Sequence, residues 1–206
     1  MALHEKSLLD LFKKLSKSTL DRSKEYERKF NKIIKDDDWS FIIKSQAVLE
    51  SSVLNLLIAK SGDQKFEKYF NRLSLNAKVE LLKDLDLCSN SIKRYIQSIS
   101  QLRNRLAHDP EEISFSFKKL IKNMSPSDKK NFINSFNINN ENPLSEEFKK
   151  LILSKTKSAI YLNTITIIVL FSFERERLIL EREMMSMQID ESEKLLKKWM
   201  PNLFAN

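Results

Sequence analysis

Apolar positions recur at helical spacing through most of this chain, so the pattern predicts a succession of helices. Residues from about 7 to 35 set Leu8, Leu11, Phe12, Leu15, Phe30, Ile33 and Ile34 among basic residues, which predicts an amphipathic N-terminal helix. Asp36-Asp37-Asp38 then supplies an N-cap and favourable negative charge for a second helix. That helix, Trp39 to Lys60, is densely apolar and stops at Ser61-Gly62, where the glycine provides a left-handed cap. A shorter helix carries Phe66, Tyr69 and Phe70. Two more follow at Leu75–Leu85 and Ser91–His108, parted by the polar turn Cys88-Ser89-Asn90.

The character changes over residues 123–147. Pro126, Pro143 and the run Asn137-Ile138-Asn139-Asn140-Glu141-Asn142 predict a long loop, or a short helix between two turns, tolerant of change. A long helix with room for a break runs from about Ser145 to Gln188, and an amphipathic tail helix from Asp190 to Met200 ends at Pro201. The expected organisation is an N-terminal helical arm over residues 1–38, a helical bundle over 39–188 and a tail over 189–206. No internal repeat is present.

Composition sharpens the fold class. A β-rich chain needs turn residues at each hairpin, and 206 residues here include one Gly and four Pro. The expectation is all-α: an up-and-down helical bundle with an N-terminal arm and a long C-terminal helix. A single Cys88 excludes an intramolecular disulfide and, with two His, disfavours a structural zinc site. No metal or other cofactor is expected, and a reducing cytoplasm is the expected location. The chain opens on polar and charged residues rather than an apolar signal segment.

The run Ala159 to Phe173 is about 15 residues long, short of the roughly 20 needed to span hydrocarbon, and it contains Asn163, Thr164, Thr166 and Ser172. It reads as a central core helix, with no membrane partner. The Glu and Arg interleaved from Glu174 to Glu183 read as a salt-bridged, exposed helical extension. A formal net charge of +8 favours polyanions, nucleic acid first among them.

Candidate chemistry lies in Arg103-Asn104-Arg105-Leu106-Ala107-His108-Asp109-Pro110. The second histidine, His4, lies near the N-terminus, where order is least expected. On a helical wheel, Ile92, Tyr95, Ile96, Ile99, Leu102 and Leu106 form the core stripe, with Arg103 at its margin. Asn104 and His108, four apart, share a face about 40° wide that points away from the core. A groove made with another surface would need such a face, and a second copy of the same helix is the simplest such surface. Pro110 disfavours helix at Asp109, so the helix should end near His108. Histidine takes and returns a proton near neutral pH, and arginine holds phosphate bidentately. Arg103 and His108 are therefore the minimal parts for metal-free RNA cleavage, with Arg105 placed to contact solvent or phosphate backbone.

The segment Ser98 to Pro110 closely resembles the signature of the HEPN superfamily: an Arg, usually a polar residue after it, and a His four to six residues on. Here these are Arg103, Asn104 and His108. Leu75–Leu85 and Trp39–Lys60 look like the helices that precede the signature, and the arrangement is also similar to mannitol operon repressor-like relatives. The resemblance covers residues 39–110. It implies a helical bundle, usually a homodimer with both signatures on one cleft. It also implies metal-independent endoribonuclease activity in toxin–antitoxin, abortive-infection or other defence systems, with RNA as substrate and an antitoxin or regulatory protein as partner. The superfamily contains non-catalytic regulators and binding modules too, which is the alternative. Supporting roles follow for Glu50, the acidic residue on the earlier helix, and for Asp109, which either orients His108 or shapes the turn. Glu50 alone would equally read as pairing with a Lys or Arg at the bundle edge.

Overall fold

A computed structural model describes residues 2–108, 114–138 and 144–200. The protein is all-α, with no strand among these residues. Helix α1 spans Ala2–Ile33, α2 Asp38–Ser61, α3 Glu67–Phe70, α4 Leu75–Asp84 and α5 Asn90–His108. Then come α6 over Phe117–Asn123, α7 over Pro126–Ser135, α8 over Glu146–Ser154 and α9 over Thr156–Trp199.

Helix α2 is the centre of the bundle. Its start is set by Asp37, whose carboxylate accepts from the Ser40 N–H at 2.9 Å, filling one of the orphan donors of a helix N-terminus. Its end is set by Gly62 at φ 79°, whose N–H bonds the Ile58 carbonyl. A Cβ at Gly62 would stand 2.9 Å from the Arg182 guanidinium carbon. Gly62→Ala should therefore cost about 1–2 kcal/mol for the left-handed backbone, read as a lower denaturant midpoint at unchanged slope. Leu49, Val53, Leu56 and Leu57 of α2 are wholly buried together with Ile160, Ile167, Ile168 and Phe171 of α9.

Helix α1 lies antiparallel along α9. The Tyr161 hydroxyl donates to Asn31 at 2.7 Å, and 15 residues further along α9 the Ser18 hydroxyl donates to Glu176 at 3.0 Å. Phe30, with no exposed surface, packs on the Tyr161 ring at 5.6 Å. On the other side of α2, α5 and α4 pack as a pair. Tyr95 of α5 is buried, and its hydroxyl donates to the Ile160 carbonyl at 3.0 Å or to Thr164 at 2.8 Å. Burial pushes that phenol's pKa well above its usual value.

Two features depart from the sequence pattern, and the break it allowed in the long helix is present. The polar stretch over 123–147 contributes to the core. Phe136 is 1% exposed and meets the Tyr95 ring edge-on at 5.6 Å, and its carbonyl accepts from the buried Asn163 amide at 2.8 Å. The short helix there is α7, opened by Ser125 and Pro126, while residues 139–142 of the Asn-rich run and Pro143 lie outside the described residues. The long helix breaks at Lys155 (φ −132°, ψ 52°), dividing α8 from α9. There is no separate tail helix, because α9 runs unbroken to Trp199 through residues that all tolerate helix.

Helices α2 and α9 are each long and apolar enough to cross a membrane, with a window of mean hydropathy 1.4. Half of each window is buried inside the bundle. Beyond the bundle, α9 carries Met185, Ile189, Leu196 and Trp199 exposed, in spacings of four, seven and three.

Candidate functional site

The C-terminal end of α5 is held by its apolar stripe and by one tether. Tyr95, Ile96, Ile99, Leu102 and Leu106 are buried, and Ile92 is half-buried against them. The Trp39 indole N–H donates to the Leu106 carbonyl at 3.1 Å, linking the first turn of α2 to the last turn of α5. That carbonyl is among the last four of the helix, which have no partner within it. Trp39→Phe keeps an aromatic ring but removes this bond and part of the indole's packing, so it should cost at least about 1 kcal/mol, read by chemical denaturation.

Arg103 emerges half-buried at the margin of the stripe. Its Nη1 donates to the Asn104 side-chain oxygen at 3.2 Å, while its Nε is buried and without a hydrogen-bond partner. No carboxylate pairs with it among the described residues. Orphan buried donors are rare and cost about 1–3 kcal/mol, so this guanidinium is held short of partners. Asn104 and His108 are exposed on one face, a helical turn apart. Five residues on a helix subtend about 140°, so Arg103 and His108 of one chain do not point the same way. Asn104 is the link between them: four residues before His108 and bonded to Arg103.

Arg105 lies on the far side of Asn104, its guanidinium 6.0 Å from the Phe115 ring centre. Asp109 and Pro110 lie outside the described residues, so α5 is described as far as His108 and no further.

Glu50 is not part of this group. Its carboxylate pairs with the Lys78 ammonium of α4 at 2.7 Å and accepts from Gln46 at 3.5 Å. With Trp39 marking the α5 end, Glu50 lies 11 residues up α2, about 16 Å along the axis. The cause is electrostatic: the Lys78 side chain is 3% exposed, and a buried ammonium demands an anion. The proximity to the Arg–His pair implied by the HEPN resemblance is replaced by a structural ion pair.

The sequence reading did not single out Trp39 as a tether, nor a groove beside the site. A cavity of about 560 Å³ opens beside Arg105, lined by Ser116, Lys119 and Asn123 of the α6 region. A second, of about 500 Å³, adjoins it along α5 and α7, lined by Arg94, Gln101, Asn131 and Asn134; both share Met124 and Asp128. The signal was present in the chain as the seven-residue spacing of Arg94, Gln101 and His108.

Elsewhere, Cys88 is a buried free thiol whose pKa burial raises to about 12, so it is not a nucleophile. Among the described residues no three His, Cys, Asp or Glu side chains converge. Comparison with protein-family models, curated proteins and solved structures finds no match to this chain.

Proposed function

We propose that this protein is a HEPN-type endoribonuclease that cuts RNA without a metal ion, acting in the cytoplasm as a toxin or effector in a defence system restrained by an antitoxin or regulator. One observation carries the reading. Arg103 is half-buried, has no acidic partner among the described residues, keeps an unpaired buried Nε and is clipped to Asn104, next to the exposed His108. Such an arginine is prepared for an oxyanion that the folded chain does not itself supply.

In the proposed reaction His108 accepts the proton of the ribose 2′-hydroxyl. The 2′-oxygen bonds to phosphorus as the bond from phosphorus to the 5′-oxygen breaks, and the proton is returned to that leaving oxygen. Arg103 holds the charge that builds on the non-bridging oxygens. Because Arg103 and His108 of one chain diverge, the working cleft joins two copies, with the two α5 ends facing each other. Light scattering should give twice the chain mass. A monomer at micromolar concentration would remove the shared cleft.

Expression of the chain alone should slow growth, and Arg103→Ala should relieve the arrest. That substitution trades lost alkyl packing against removal of an orphan donor, so stability should change by no more than about 1 kcal/mol. Undiminished arrest by a folded Arg103→Ala protein would reject the role of this residue.

The non-catalytic binding module, of the mannitol-repressor type, is favoured by a different feature. The end of α9 exposes Met185, Ile189, Leu196 and Trp199 in one stripe, and exposed apolar patches mark protein-binding surfaces. Tight binding of a protein partner with no cleavage across a broad RNA panel would select it.

A further inference from the structure

We propose that the groove between α5 and the α6–α7 pair seats the unpaired RNA strand leading to the cut and reads its bases. The inference rests on the nuclease reading and adds to it where the substrate lies and which residues choose it.

The two adjoining cavities, about 560 and 500 Å³, meet at Met124 and Asp128 and form one trough along α5. Its floor is closed where the Ser135 hydroxyl donates to Ser98 at 3.2 Å, joining α7 to α5. Seven residues are two turns less about 20°, so Arg94, Gln101 and His108 stack nearly in line on one face. Arg94 and Gln101 line the trough, and His108 stands where that line of residues ends, about 21 Å from Arg94 along the axis. A strand laid in the trough is thereby aimed at the proton acceptor.

The lining has the two kinds of group such a ligand needs. Arg94 and Lys119 are exposed cations without an acidic partner among the described residues, one lining each cavity. They suit successive phosphates. The acid on the rim, Asp128, accepts from the Ser125 hydroxyl at 2.7 Å. Between the cations, Gln101 on α5 faces Asn131 and Asn134 on α7. All three amides are exposed and make no side-chain hydrogen bond within the described residues. An amide offers a donor and an acceptor together, the match for a base edge. Paired RNA hides its base edges in a deep, narrow groove that side chains cannot read, so the occupant is single-stranded.

The test uses the full chain carrying His108→Ala, which binds without cutting. Fluorescence anisotropy would follow labelled single-stranded RNA of varied sequence, with duplex RNA and heparin as controls. Gln101→Ala, Asn131→Ala and Asn134→Ala together should lower affinity for the preferred sequence roughly tenfold and leave heparin binding unchanged. Arg94→Ala and Lys119→Ala should each reduce the slope of log affinity against log salt by about one, for every sequence alike. All five positions are exposed, and a melting curve of each variant checks the fold. An unchanged base preference in the triple variant would overturn the proposal, as would parallel loss of RNA and heparin or duplex binding as tight as single-stranded. If the active chain cuts RNA with a sequence preference that groove variants leave untouched, the groove falls and the nuclease stands. If groove binding behaves as described but the active chain never cuts, the nuclease reading falls instead.

Discussion

Replacing His108 with alanine should slow RNA cleavage by about 10²–10⁴-fold, the usual contribution of a positioned general base, and leave the fold intact. The side chain is exposed at the last described turn of α5 and makes no hydrogen bond or ion pair within the described residues. Surface truncations of this kind change stability by less than about 0.5 kcal/mol. Turnover and thermal midpoint measured on the same preparation separate the two effects. Full activity in a folded His108→Ala protein would remove the residue from the mechanism.

The largest effect on stability should come from the Glu50–Lys78 pair. Removing one member of a buried pair strands the other, at about 3–5 kcal/mol where both are fully buried. Here the Glu50 side chain is 36% exposed and that of Lys78 3%, so water offsets part of the loss. Glu50→Ala leaves the buried ammonium alone and should cost about 2–3 kcal/mol. Lys78→Met, which leaves the more exposed carboxylate to water, should cost less than about 1 kcal/mol. The double variant should recover most of the loss, because nothing charged remains buried. Urea titration of the four proteins gives the coupling directly. A change below about 0.5 kcal/mol for Glu50→Ala would show that Lys78 has no need of it. Because the pair is some 16 Å along α2 from the α5 end, cleavage by the folded Glu50→Ala protein should equal that of the parent chain.

The same pair shows where sequence reasoning stops. A lone glutamate in an apolar helix signals that a partner exists, but Lys78 lies 28 positions away and nothing local names it. Helix α2 was legible because both its ends are decided by neighbours in the chain, Asp37 at one and Gly62 at the other. The face of α5 was legible for the same reason: its apolar stripe is strong enough to leave Asn104 and His108 only one side to occupy. The stretch that became α7 was less so. Phe132, Ile133 and Phe136 sit among Asn, Lys and Ser, and the burial of Phe136 follows from Tyr95 and Asn163, both distant in sequence. The unpaired Nε of Arg103 has no sequence signal at all, since its burial depends on how α5 docks against its neighbours.

The chemistry of the cut ends tests the account most directly. The purified chain is incubated with unstructured RNA in excess chelator, and the new termini are identified by mass spectrometry. Attack by the ribose's own 2′-oxygen predicts 2′,3′-cyclic phosphate or 3′-phosphate ends facing 5′-hydroxyl ends, formed at the same rate with and without chelator and about 10²–10⁴-fold more slowly with His108→Ala. Fragments bearing 3′-hydroxyl and 5′-phosphate ends, or cleavage abolished by the chelator, would contradict it.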